Sequence, residues 1–447
     1  YFLQSSFLHG DKIALSAHLV MDPKDPPNGP GRELAPIPLR QKVLEGSPFY
    51  LESTNETVLK TVLKADGFKL TSLDLEQNPP RLQLVNQKYR STAQALGRAA
   101  RTASRYLSDN FDSFYIEFIE DDLVLLSAEI NRNQLITSVV SAEPSENFLD
   151  TVKFQDTTAL GFDQSDSKKF SWSIGPYVEY SLFDPLAPIR GEVGAELFTQ
   201  YTLGSGFYID GRVRKSLVGN FDKVLRQSDS VLPHVRSDHD IYGRDGDPGI
   251  DQLTITKVNK IMPSVYGKLT AGYLEKMFAG VSGEILWKPI SSSLGIGIEL
   301  SQVQQRNFDM LWGLQDYQVT TGHLSAYYYF KNGFMTQLDA GQYLAGDRGY
   351  TLRVGRKFGN GWNMGAYATV TNVPFAKFGE GSYDKGIFAE IPLDWSIGSP
   401  YRTTSKIEFN VMTRDGGAKL HTPYKLHKYL FNNDKNAIYR EAGRLWK

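Results

Sequence analysis

The sequence predicts an all-β transmembrane barrel of about 12 antiparallel strands, preceded by a small α+β domain. Three observations predict it. From about residue 170, apolar residues fall on alternate positions in stretch after stretch. The opposite positions are rich in glycine and charge, and residues 46–141 carry a different period that includes helices.

The first residues, YFLQSSFLHGDKIALSAHLVMD, have no basic n-region ahead of an apolar core, so they are not expected to be a signal peptide. Ile13, Leu15, Ala17 and Leu19 alternate like the end of a β-hairpin, as though the chain starts inside a larger precursor. The stretch DPKDPPNGPGRELAPIPL (22–39) is too rich in breakers for a sheet interior and reads as an extended linker, which completes a first region at 1–45.

In the second region, 46–150, Ser53-Thr54-Asn55-Glu56 has capping-box spacing ahead of VLKTVLKADGF, with Gly67 as the stop. FKLTSLDLE and RLQLVNQ alternate as strands. KYRSTAQALGRAARTASRYL is a second, longer helix, followed by the strands DSFYIEFIE and DLVLLSAEI. Helix–strand–strand thus occurs twice, a small duplicated α+β module.

The third region, 151–420, holds twelve alternating stretches: 170–182, 189–203, 207–218, 261–273, 277–288, 293–303, 317–330, 334–344, 349–358, 361–372, 384–395 and 405–414. In YTLRVGRKFGNGWNMGAYATVTN (350–372), one row is Tyr350, Leu352, Val354, Phe358, Trp362, Met364, Ala366, Ala368 and Val370, broken by Arg356. The other is Thr351, Arg353, Gly355, Lys357, Asn363, Gly365, Tyr367 and Thr369, so this is a hairpin turning at Gly359-Asn360-Gly361. Strands of this length suit a tilted membrane strand better than a soluble sheet. Aromatics sit near strand ends (Tyr201, Trp287, Tyr328, Phe330, Phe358, Trp362 and Trp395), where an interfacial girdle would use them. A soluble sandwich would bury the apolar rows in a core, whereas a membrane barrel turns them to lipid. Glycine on the polar row (Gly194, Gly295, Gly297, Gly355 and Gly365) favours the barrel, because a curved interior is crowded. An even strand number also suits a chain that enters and leaves on one side. The last region, 421–447, is a tail that could plug the interior or bind outside it.

Composition excludes several classes. Lys+Arg is 49 against Asp+Glu 50, so net charge gives no argument for nucleic acid. Forty glycines and 24 tyrosines suit a many-stranded protein with interfacial aromatics. The absence of cysteine removes disulfides and thiolate metal sites. No run approaches about 18 apolar residues, so a transmembrane helix is excluded. There is no GxSxG, HExxH, P-loop or strand–GxGxxG–helix, and nothing calls for a cofactor.

Seven stretches carry more identity than periodicity explains: KYRSTAQALGRAARTASRYL, SDSVLPHVRSD, AGYLEKMFAGVSGE, DYQVTTGHLSAYY, AGQYLAGDRGYT, FGEGSYDKGIF and TRDGGAKL. In wording and order, from about 81 to 420, they resemble the YjbH/GfcD family of outer-membrane proteins tied to exopolysaccharide and group 4 capsule production. The resemblance implies a barrel in outer-membrane lipid, a periplasmic α/β module and a role in polysaccharide secretion. The implied partners are the polymer, a capsule export lipoprotein and other periplasmic secretion proteins. Family members look longer, with a further β-region upstream, so this chain resembles their C-terminal portion. The resemblance supplies no catalytic residue.

Three constellations are candidates for function. Arg90, Arg98, Arg101 and Arg105 lie near one stripe of the second helix. They read as a docking face for an acidic polysaccharide or a partner protein, or as a solvated helix face, or as one neutralised by Glu117, Glu120, Asp121 and Asp122 on the neighbouring hairpin. Glu192, Glu196, Arg212, Arg214, Glu284, Glu299, Asp339, Arg353 and Lys357 fall on the polar rows. Interleaved signs there predict ion pairs across strands and a largely filled lumen. In the long insertion GNFDKVLRQSDSVLPHVRSDHDIYGRDGDPGID, His234, Arg236 and Asp238 are expected to help close one mouth, with Arg236 paired to an aspartate. Its aspartates lack calcium-loop spacing and its histidines lack a third ligand, so no metal is expected. The functional expectation is binding and scaffolding in polymer secretion. A translocation pore is the alternative, and a hydrolase or lyase acting on the polymer is a third reading.

Overall fold

The computed structural model describes residues 33–139, 143–156, 169–182, 189–220, 230–374, 383–410 and 415–447, with the backbone of two further strands near the start. Those two, β1 (Phe2–Leu8) and β2 (Lys12–His18), pair antiparallel as the hairpin read from the alternation. The Pro-rich stretch up to residue 32 lies outside the described residues, as do parts of the long insertion and of the FGEGSYDKGIF and TRDGGAKL stretches.

The α+β module follows. Helix α1 (Glu56–Ala65) starts where the Asn55 side chain accepts from the Val58 N–H, and it stops ahead of Gly67, whose φ is +89°. Strands β3 (Phe68–Asp74) and β4 (Arg81–Asn86) come next, then helix α2 (Thr92–Tyr106), capped by Ser91. Strands β5 (Ser113–Glu120) and β6 (Leu123–Asn131) turn on Asp121 and Asp122, both at positive φ. Helices α3 (Arg132–Val139) and α4 (Pro144–Thr151) lead to the short β7 (Lys153–Gln155). The sheet runs β3-β4-β5-β6-β7, parallel only between β4 and β5, where the two helix–strand–strand units join.

Among the described residues, a single antiparallel meander of thirteen strands makes up most of the rest. Its strands are β8 (Phe170–Leu182), β9 (Ile189–Gly204), β10 (Phe207–Gly219), β11 (Gly249–Met262), β12 (Val265–Tyr273) and β13 (Phe278–Trp287). They continue with β14 (Leu294–Arg306), β15 (Leu314–Tyr329), β16 (Phe334–Gln342), β17 (Arg348–Lys357), β18 (Asn363–Thr371), β19 (Asp384–Pro392) and β20 (Thr404–Asn410). The extra strand relative to the sequence reading is β11, most of it in the gap between the stretches read at 207–218 and 261–273. The edge strands β8 and β20 touch through one side chain: the Tyr180 hydroxyl donates to the Glu408 carbonyl at 3.2 Å, and its ring centroid is 6.0 Å from that of Phe409.

The sheet is inverted relative to a soluble one. Its apolar row faces out, with Leu300 63% and Leu324 57% exposed, while Thr256 and Thr270 of the polar row are completely buried. Exposed aromatics gather at both ends: Trp172, Trp287, Tyr328 and Phe358 at one, Trp312 and Tyr350 at the other. Trp362 and Trp395 do not join them; they are buried and meet edge to face at 5.1 Å. No helix among the described residues is long and apolar enough to cross a membrane.

The module docks at the end of the sheet that carries the β9–β10, β13–β14 and β17–β18 turns. Asp122 accepts from the Gly206 N–H at 2.7 Å, Asp156 accepts from the Ile290 N–H at 3.1 Å, and Arg90 donates to the Asn360 carbonyl at 3.3 Å. β8 begins at this near end. An odd number of strands therefore releases the chain at the far end after β20, and the C-terminal segment brings it back. The argument for an even number fails because the return path runs along the polar face itself.

Candidate functional site

The site is built on that returning segment. At the far end, Asp415 accepts from the Arg236 and Ser237 N–H groups, and the Ala418 carbonyl accepts from the Leu344 N–H at 2.9 Å. Lys419 then pairs with Asp339. Deeper, Lys425 reaches both oxygens of Glu299 at 2.6 Å, and the Leu426 N–H donates to Glu284, which also holds Lys268 at 2.9 Å. The Tyr424 hydroxyl donates to Asp210 at 2.9 Å.

Helix α7 (Leu426–Asn432) then packs Phe431 on Tyr329, centroids 4.3 Å apart. Asp434 caps α8 (Lys435–Arg440) and pairs with Lys288 at 2.8 Å, both side chains almost wholly buried. Beyond it, Ile438, Ala442 and Leu445 enter the hydrophobic core of the α+β module. The Leu445 carbonyl lies 1.8 Å from where a Cβ on Gly97 would stand, so α2 and the chain end touch backbone to backbone.

The segment leans on the β10–β14 wall. Against the opposite wall lies a cavity of about 1040 Å³, lined by Arg236 and Gly417 at the far end and by Asn86 and Arg90 of the module at the near end.

The charges expected on the polar rows fall into two groups. Some pair within the sheet: Arg214 with Glu179 at 2.7 Å and with Glu196 at 3.6 Å, and Arg212 with Glu196 at 3.5 Å. Glu192 accepts from the Tyr177 hydroxyl. Others are answered by the C-terminal segment: Glu284, Glu299 and Asp339 as above, and Lys357 by Glu441 at 3.4 Å. Arg353 lies 3.7 Å from Glu408 and 3.7 Å over the Phe388 ring. Sequence reasoning did not find Lys419 and Lys425. The signal was present as three lysines, 419, 425 and 428, in a segment following the last strand.

The arginine stripe of α2 is covered by the chain itself rather than offered as a docking face. Arg98 bonds Asp66 at 2.8 Å, the Leu34 carbonyl at 2.6 Å and the Lys447 carbonyl at 2.9 Å. Arg101 donates to the Ile37 carbonyl and sits 5.1 Å from the Trp446 ring centroid, and Arg105 donates to the Pro38 carbonyl. Arg90 pairs with Asp394 at 3.2 Å and Glu441 at 3.6 Å. The neighbouring hairpin does not neutralise the stripe either: Glu117 holds Arg81 and Glu120 holds Arg402. An extended segment lays down carbonyls along a helix, and guanidinium forks suit them.

In the insertion, Arg236 pairs with a glutamate rather than an aspartate, holding both oxygens of Glu275 at 2.7 and 3.0 Å. Burial pushes the Glu275 carboxyl up, but Arg236 and His421 outweigh it and bring it down to about 2. His234 bonds Asp238 at 3.0 Å; burial opposes its protonation, and the Ser230 carbonyl and Asp238 together raise its pKa. Helix α5 (His239–Asp245) follows, with Asp240 on Arg190. Asp247 and Asp251 hold Lys215 and Arg214. Among the described residues no three potential ligands converge to hold a metal ion.

This architecture defines a large β-protein that turns its apolar face outward and lays the segment following its last strand along part of its polar face. The chain belongs to the YjbH family: the family model described as exopolysaccharide biosynthesis protein YbjH matches residues 1–431. A relative from Escherichia coli (strain K12), the uncharacterized lipoprotein YjbH, is 27% identical over 416 residues, covering 88% of this chain and 59% of that protein. The chain therefore spans 59% of the length of the relative it matches. The resemblance read from the seven sequence stretches is borne out at the level of the family.

Proposed function

We propose that the thirteen-stranded sheet is a barrel closed along β8 and β20, set in the bacterial outer membrane with the α+β module in the periplasm. One observation carries this reading: the outward row is apolar across neighbouring strands while the enclosed row is polar and ion-paired. Tyr180 bridging the two sheet edges and the aromatics at both ends support it. The protein serves the secretion of an exopolysaccharide or group 4 capsule-like polymer by binding and scaffolding, not by catalysis. Its partners are the polymer, a capsule export lipoprotein and other periplasmic secretion proteins. The C-terminal segment keeps the lumen largely filled.

Heat-modifiable migration on a gel, together with a β-rich circular dichroism spectrum in detergent, tests the membrane reading. A chain monodisperse in plain buffer would sink it. The pore alternative draws support from the cavity beside the segment. Planar-bilayer recording separates the two, since a steady large current from the intact chain belongs to a pore. New reducing ends after incubation with purified polymer would overturn the non-catalytic role.

A further inference from the structure

We propose that the cavity beside the C-terminal segment binds an extended stretch of anionic polysaccharide. The inference rests on the secretion role above and names the ligand class for that same interior. The cavity is lined by residues from both ends of the sheet, and at about 1040 Å³ it matches the top of the ordinary small-molecule range. That shape takes several sugar units in line rather than one.

Its two walls differ in how their charges are paired. Where the segment leans on β10–β14, each acid meets a lysine: Glu284 meets Lys268, and Glu299 meets Lys425. Along β17–β20 three cations (Arg353, Lys357, Lys406) face three carboxylates (Asp384, Glu390, Glu408), while the whole lining holds nine lysines and arginines against six carboxylates. Glu408 alone serves two cations, Arg353 and Lys406. Lys428, exposed to the cavity from α7, has no ion pair or side-chain hydrogen bond among the described residues. The other two carboxylates of this wall are held by neutral donors, Glu390 by the Asn363 amide at 2.8 Å and Asp384 by the Tyr367 hydroxyl.

Polar and aromatic groups complete the site. His323 Nε2, Asn363 Oδ1 and His427 Nδ1 all belong to residues lining the cavity and have no hydrogen-bond partner among the described residues, a rare state for buried atoms. Tyr367 and Phe388 line the same wall, and Arg353 lies over Phe388. Aromatic faces take the C–H faces of sugar rings, and hydroxyls take the stranded polar atoms. The excess cations take carboxylates, which sets an acidic glycan apart from a neutral one.

The test titrates the full-length chain in detergent with a hexameric oligogalacturonate and, separately, with neutral maltohexaose. We expect the acidic oligomer to bind, to weaken as salt is added, and to bind at least about tenfold more tightly than maltohexaose. Lys428→Glu, which breaks no ion pair, should weaken binding about tenfold or more while the variant stays heat-modifiable; Arg353→Gln should act in the same direction. No binding by a heat-modifiable chain, equal binding of both oligomers, or unchanged binding by Lys428→Glu would each overturn the proposal. A chain that binds the acidic oligomer yet needs no detergent would overturn the membrane reading and leave this one standing.

Discussion

Lys425, fifteen residues beyond the last strand, donates to both carboxylate oxygens of Glu299 in β14 at 2.6 Å. Glu299 also accepts from Thr422 and Ser282, each at 3.3 Å, so the returning segment is fastened to the sheet at a carboxylate with several donors. Replacing Lys425 with methionine strands that carboxylate in a half-buried site. The expected cost is about 1–3 kcal/mol in denaturant unfolding from detergent, largely recovered by Glu299→Gln in the same chain. A double-mutant cycle with no coupling would show the contact to be incidental.

Gly97 gives an effect whose sign is diagnostic. In an open helix interior, glycine to alanine stabilises by about 1 kcal/mol. Here the new methyl meets the Leu445 carbonyl, so Gly97→Ala should destabilise by about 1–3 kcal/mol and speed hydrogen exchange at the Leu445 amide. A raised melting temperature would mean that the chain end does not rest on α2.

Asp121 makes docking of the module depend on pH. Burial, then repulsion from Glu120, raises its pKa to about 7, against a donated bond from Tyr429 and with Asp122 and Asp210 adding to the rise. A carboxyl raised in the folded state contributes stability that is full below its unfolded pKa of about 4 and is lost as pH climbs through about 7. Between pH 5 and 8 the native chain should therefore lose up to about 3 kcal/mol through this group. Asp121→Asn should flatten that part of the slope, read as the difference in melting temperature between chains across pH.

Ile298 distinguishes lipid from water at the sheet surface. It is 55% exposed in the middle of β14, paired with Ile285 and Leu324. In water, arginine there would be close to neutral; at a bilayer midplane it costs about 2–4 kcal/mol. Ile298→Arg should therefore impair folding into vesicles, and an unaffected yield would count against a lipid-facing row.

Much of this was legible in the sequence, because a side-chain period of two survives wherever one face meets a uniform surrounding. β11 escaped because its surroundings change along its length. Val258 points inward and is buried with Tyr266, Leu286 and Leu430, where α7 and the module make the enclosed face apolar, while Lys257 and Asn259 point outward. The rule that reads the other strands reverses there. Pairs such as Lys419 with Asp339, 80 residues apart, and Lys425 with Glu299, 126 apart, leave no local pattern to detect. The α2 arginines were legible as a stripe, but nothing nearby said that residues 34–38 would lie along it.

Ile438, Ala442 and Leu445, all beyond β20, complete a core whose other members come almost entirely from the first third of the chain. The module cannot reach its final packing during synthesis, since its closing pieces have yet to pass along the interior of the sheet. Maturity of the small domain is thus a report on the large one: a seated Leu445 certifies that β20 has been laid and the return passage made.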